Sequence, residues 1–164
     1  MPVGVSSVPS SSSVPSSSSG PVVVVNVAGL AVVSASSESV GTGQRAVKAV
    51  DGVADGYPRD YLREWASLGQ GVGAWLRLVW GGGFVVDRVV LFDRPNLADR
   101  VLGATLTFSD GSVVVVGALP NDGSGLSVVF SPRVTTSVLL TVTGSSGPNV
   151  GLAEIEVYGT PATP

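Results

Sequence analysis

From Trp75 to Tyr158 the chain is a succession of short apolar stretches separated by turn residues, and this pattern limits the folds open to it. Trp75-Leu76-Arg77-Leu78-Val79-Trp80 alternates, with Leu76, Leu78 and Trp80 on one face and Trp75 and Arg77 on the other. A period of two belongs to a strand with one buried face. The pattern predicts Trp80 in the core and Trp75 at its margin. Gly81-Gly82-Gly83 reads as a turn. Residues 84–92 form a long apolar strand, apolar on both faces around Val89-Val90-Leu91-Phe92, as a central strand covered on both sides would be. Residues 104–108 alternate and run through Ser109-Asp110-Gly111-Ser112 into four valines, and Asp-Gly between two strands signals a hairpin. Residues 127–130, 137–143 and 153–158 complete a set of about eight strands with turn signals between them. Only residues 44–50 suit a helical turn. Val, Gly and Ser dominate while Lys and Glu are scarce, a bias toward strands and turns. The expectation is an all-β antiparallel sandwich.

The chain has 164 residues, with 9 basic and 12 acidic side chains and a net charge of −3. No basic stripe of the kind that binds nucleic acid is present. There is no Cys, hence no disulfide framework or thiolate metal site. There is also no His, which removes the commonest general base, the Ser-His triad and the usual zinc ligand. The composition therefore argues against an enzyme, and no motif pairs carboxylates as a glycosidase would. Gly69-Gln70-Gly71-Val72-Gly73 lacks the Lys-Ser/Thr that a phosphate loop needs. No apolar run approaches the roughly 18 residues of a membrane helix. The N-terminus lacks the basic and apolar regions of a signal peptide.

Residues 6–19 are almost only Ser, Pro and Val, too poor in apolar surface to offset their chain entropy. They read as a linker or as an O-glycosylated stalk. Residues 1–21 are accordingly assigned to a low-complexity segment, 22–160 to the folded domain and 161–164 to a tail. Val22-Val23-Val24-Val25 favours an extended strand. Such a strand can pair within its own domain or add to a neighbour's sheet, so homo-oligomerisation through residues 1–25 is one expectation.

Two loops hold chemistry-bearing residues. Asp51-Gly52-Val53-Ala54-Asp55-Gly56 sets two carboxylates in a Gly-rich turn. Calcium takes several oxygen ligands in tight loops, while an Asx-turn with solvated carboxylates explains the same residues. Tyr57-Pro58-Arg59-Asp60-Tyr61-Leu62-Arg63-Glu64-Trp65 mixes aromatic and charged groups. Aromatic faces stack on sugar C–H surfaces and planar charged groups bond hydroxyls, so Tyr57, Tyr61 and Arg63 are candidate sugar contacts. Asp93-Arg94-Pro95-Asn96 ends the long apolar strand and is either a ligand loop or a turn with exposed charges.

The order of four motifs resembles the discoidin family, the coagulation factor V/VIII type C or galactose-binding-like domains. The stretch opens with Asn26-Val27-Ala28-Gly29-Leu30-Ala31-Val32-Val33-Ser34-Ala35-Ser36-Ser37 and closes with Val150-Gly151-Leu152-Ala153-Glu154-Ile155-Glu156-Val157-Tyr158-Gly159. Between them stand Ala49-Val50-Asp51-Gly52 and Glu64-Trp65. The resemblance implies a jelly-roll sandwich with a core Trp65, and a structural calcium held by Asp51, Asp55 and Glu154 with the backbone carbonyls of Lys48 and Ala153. It implies ligand contacts from loops at one end of the sandwich, here Arg94, Asn96 and Asn149. The family's usual ligand His has no counterpart. The function implied is a noncatalytic carbohydrate-binding or adhesion module, extracellular or on a cell surface, with a glycan or polysaccharide as partner. A self-assembling surface or filament subunit is the alternative.

Overall fold

The structure is a computed structural model and describes residues 20–163. The Ser/Pro segment expected over residues 1–21 therefore lies outside the described residues except at its end, as does most of the segment assigned to self-association. Eight strands follow: β1 Val25–Asn26, β2 Val32–Ala35, β3 Trp65–Ala66, β4 Trp75–Asp93, β5 Val101–Phe108, β6 Val113–Val116, β7 Leu126–Ser145 and β8 Gly151–Pro161. The helical turn expected over residues 44–50 is a 3-10 helix at Ala46–Val50, one of four such turns among the described residues.

The ladders between these strands are antiparallel, and two long strands serve both layers of the sandwich. The first half of β4 pairs with β2 (Leu78 opposite Val33) and with the second half of β7 (Leu76 opposite Leu140). Its second half pairs with β8 (Val89 opposite Val157) and with the first half of β7 (Val89 opposite Val128). One layer thus runs β2–β4–β7–β5–β6, and the other β1–β8–β4–β7, with β3 also on β8. Residues 84–92 are central, as their two apolar faces require.

Gly81-Gly82-Gly83 corrects the expectation of a turn. β4 continues through it, and residues 80–83 bulge out between the Val79–Ser137 and Phe84–Thr135 pairs. Side-chain-free backbone takes up the bend with which the strand passes from one layer to the other. β7 crosses in the same region, with Pro132 in a register shift where no ladder N–H is required. Two pairs of expected strands are therefore two continuous ones, and the short β2 and β3 make up the number.

The layers enclose Leu76, Leu78, Val89, Leu91, Leu106, Leu140, Ile155 and Val157, all fully buried. Trp65 and Trp80 close the core, and each indole N–H donates to a backbone carbonyl, Ser37 at 3.0 Å and Val27 at 2.9 Å. Trp75 sits half-buried at the margin, as its place in the alternation predicts. The β5–β6 hairpin turns at Asp110-Gly111, where Gly111 has φ 82°. Asp110 accepts from the Ser112 N–H at 2.9 Å, fixing the turn. Of the four N-terminal valines only Val25 joins a strand, opposite Gly159, and Val22, Val23 and Val24 precede it exposed. No helix among the described residues is long and apolar enough to cross a membrane.

Candidate functional site

Three loops meet at one end of the sandwich and leave a cleft of about 540 Å³. Ala54–Arg59 forms one wall, and Pro95, Asp122 and Gly123 form the other. Tyr57 is exposed on the rim. Asp55 and Arg59 face each other loosely at 3.9 Å. Asp122 accepts from the Ser124 hydroxyl at 2.5 Å and the Ser124 N–H at 2.9 Å. Those bonds hold its carboxyl below the usual range, so it is ionised well into acid solution.

A buried polar chain fixes both walls. Glu64 is fully buried, and its Oε2 accepts from the Tyr57 N–H at 2.7 Å. Its Oε1 accepts from Gln44 Nε2 at 2.6 Å and Arg94 Nε at 2.8 Å. Arg94 also donates through Nη1 to the Asn149 carbonyl. On the opposite wall the Arg94 carbonyl accepts from Asn121 Nδ2 at 2.8 Å, next to Asp122. Asp93 accepts from the Arg94 N–H at 2.9 Å and the Val101 N–H at 3.2 Å. Gly56 is required here, because a Cβ on it would lie 2.6 Å from Glu64 Oε2.

Of the six candidate sugar contacts, Tyr57 lines the cleft. Arg94 does not reach solvent: at 5% exposure its guanidinium is committed to Glu64. The Asp93-Arg94 turn is thus buried rather than a display of exposed charges. Asn96 caps its own loop, accepting from the Ala98 N–H at 3.0 Å. Asn149 accepts from the Gly69 N–H at 3.0 Å and braces the loops from behind. Tyr61 is exposed but outside the cleft lining, and Arg63 pairs with Asp51 at 3.2 Å and Asp60 at 3.8 Å. The residues missed from sequence are Arg59, Asp122 and the buried Glu64. Asp122-Gly123 is explained locally by its turn, and the partner of Glu64 lies 30 residues away. The one available signal was Gly56 beside Tyr57.

Asp51 and Glu154 do come together. Glu154 Oε1 accepts from the Gly52 N–H at 3.0 Å, while its buried Oε2 has no partner among the described residues. Burial, with the Asp51 charge alongside, pushes the Glu154 carboxyl up to about 8. Asp55 does not join them: it faces the cleft and Arg59, and among the described residues no three acidic side chains cluster as a metal-ligand set. Ala153 is skipped by the β4–β8 ladder, between the Phe92–Glu154 and Asp93–Leu152 pairs, and Lys48 lies in the 3-10 turn that precedes Asp51.

The chain is similar in structure to several carbohydrate-binding modules. It matches the family 32 module of NanJ from C. perfringens, solved with galactose, at TM-score 0.65 and 19% identity, covering 83% of this chain and 99% of that one. Chitosan-binding module 1 of a chitosanase/glucanase from Paenibacillus sp. IK-5 matches at TM-score 0.62 and 27% identity, covering 82% and 98%. A fucolectin from Morone saxatilis, the striped bass, matches at TM-score 0.69 and 19% identity, covering 83% and 49%. The fold is thus the galactose-binding-like, discoidin-type sandwich. A search of curated proteins gave no match. The DUF7402 family, described as a domain of unknown function, matches residues 26–158, and the chain belongs to that family.

Proposed function

We propose that the chain is a noncatalytic carbohydrate-binding module acting outside the cell or at its surface, and that the sugar lies in the cleft beside Tyr57. The observation that carries this reading is an exposed aromatic ring on the rim of a preformed cleft that also offers Asp55, Arg59 and Asp122. The ring can stack on the C–H face of a pyranose, and the charged groups can bond its hydroxyls. Rigid walls reduce the ordering cost of binding. Two carboxylates against one guanidinium favour a sugar carrying an amino group, and the 27% identity to a chitosan-binding module supports that class.

Titration of the full chain with chitotriose and with galactose tests this. Tyr57→Ala is expected to weaken chitotriose binding at least about tenfold, or about 1.4 kcal/mol, without changing the melting temperature, because the ring is exposed. Undiminished binding by this variant rules out the cleft, and silence of the parent against a broad glycan panel rules out the module.

We also place a structural calcium at Asp51 and Glu154, completed by the carbonyls of Lys48 and Ala153 and without Asp55. An unpartnered buried oxygen beside a like charge is the arrangement a hard cation relieves. Calcium there would tie the last strand to the 51–56 loop. At a hundredfold excess over its Kd it should stabilise by about 2.7 kcal/mol, which for this size is on the order of 8 °C relative to EDTA. Glu154→Gln should abolish the increment; equal melting in calcium and EDTA refutes the site.

A further inference from the structure

The outer face of the layer β2–β4–β7–β5–β6 has features that the cleft does not use. Register sets Ser34, Arg77, Leu139, Thr107 and Val113 in one row across its five strands. The next row holds Trp75, Thr141, Thr105 and Val115. Two adjoining depressions lie on this face and share Arg77 and Leu139: one of about 140 Å³ beside Trp75, and one of about 450 Å³ reaching Thr107 and Ser137. Together they cross from β4 over β7 to β5, about 10 Å at ordinary strand spacing.

Ser109 on the rim is bonded to Thr135 and Thr136, but Trp75 and Arg77 carry unspent donors. The indole N–H groups of Trp65 and Trp80 are bonded within the protein, whereas that of half-buried Trp75 has no partner among the described residues. Arg59, Arg63 and Arg94 have carboxylates, and Arg88 and Arg133 lie over aromatic rings. Arg77 is exposed, has none of these partners among the described residues, and is the one charged side chain in the two rows. The nearest acid in sequence along the hairpin, Asp110, is committed to Ser112.

We propose that this face is a second ligand site, separate from the cleft, for an extended acidic polysaccharide built of uronate sugars. A carboxylate pairs with the Arg77 guanidinium in the fork geometry that suits it. The C–H face of the adjoining sugar packs on Trp75, and ring hydroxyls meet Thr107 and Ser137. An apolar peptide would bury Arg77 unpaired, which is costly. A second copy packed face to face would enclose two uncompensated Arg77 charges in one interface. An acid sugar satisfies both the charge and the donors, and its ring supplies the C–H face for Trp75.

The test titrates the full chain with tetragalacturonate at low salt, following tryptophan emission and heat. The parent should bind, and raising ionic strength from about 0.02 to about 0.3 M should weaken binding by shortening the screening length. Arg77→Ala, at an exposed position, should lose at least about tenfold, and Trp75→Phe should bind with altered emission while Tyr57→Ala leaves affinity unchanged. Absence of binding by the parent overturns the proposal. So does binding that survives Arg77→Ala but is lost in Tyr57→Ala, which moves the ligand to the cleft. Sedimentation showing a dimer that Arg77→Ala strengthens also overturns it, by assigning the face to a second copy. Chitotriose binding with its loss in Tyr57→Ala decides the cleft, and tetragalacturonate binding with its loss in Arg77→Ala decides the sheet face, so the two readings fail separately.

Discussion

Arg94→Ala is expected to cost about 3–5 kcal/mol of folding stability, the range for removing one partner of a buried ion pair. The loss comes from what is left behind. Glu64 is fully buried and takes three hydrogen bonds, from Gln44, Tyr57 and Arg94. Without the guanidinium its charge has no counterion in a medium that solvates charge poorly, and the loop must open to let water reach it. The Asn149 carbonyl loses its donor as well. Urea denaturation should show the midpoint falling with an unchanged m-value. Replacing both members, Glu64→Gln with Arg94→Met, should cost clearly less than the sum of the single changes, because residues of one network are not additive. A loss below about 1 kcal/mol for Arg94→Ala would place the pair with solvated surface ion pairs.

The same pair explains why the cleft exists before any ligand arrives. Glu64 holds the Tyr57 backbone, Arg94 holds Glu64, and the Arg94 carbonyl holds Asn121 at the start of the opposite wall. A sugar entering this space meets groups already positioned, so less of the contact energy goes into ordering loops. Glu64 and Arg94, which shape the site, are themselves buried away from the cleft's solvent.

That division also decides what was legible in the sequence. Alternation in residues 75–80 and 104–108 marks faces correctly because burial on a strand is a local, period-two property. Gly81-Gly82-Gly83 misleads because a glycine run permits a turn and a bulge equally, and the choice is made by β7, which pairs with both halves of β4 across wide separations in sequence, as in Trp75 opposite Thr141 and Leu91 opposite Leu126. β2 and β3, at four and two residues, are too short to carry a periodicity. Tyr57 was legible as an aromatic in a charged loop. Arg94 and Asn149 carry the same polar signature as a surface ligand contact, and only the three-dimensional pairing with Glu64 assigns Arg94 to the interior, while the bond from Gly69 makes the half-buried Asn149 a brace between loops. Asp122 reads in the sequence as part of a loop that its Asp-Gly and Ser-Gly pairs explain without a ligand.

Stability should fall as pH rises from about 4 to about 7, the reverse of what surface carboxylates alone produce. Burial pushes the Asp93 carboxyl up to about 7 from an ordinary 3.8, against the pull of N–H donors from Val101, Arg94 and Asn121. The folded chain therefore keeps a proton that the unfolded chain has already released in this interval. The stabilising contribution is complete below about pH 4 and lost as pH passes through 7, a difference on the order of 4 kcal/mol. Glu154 acts in the same direction, from 4.5 up to about 8, when no cation is present. Asp110 and Asp122, held low by Ser112 and Ser124, act oppositely but only at more acid pH. Asp93→Asn carries no titrating proton and keeps an acceptor for the Val101 N–H, so its stability curve in EDTA should be flatter between pH 4.5 and 7.5. The variant should match the parent at the acid end and equal or exceed it at the alkaline end. Urea midpoints across that range decide the matter. A parent curve that rises with pH, or a variant with the parent's full slope, would mean that Asp93 is ionised in the fold and that its three N–H donors outweigh its burial.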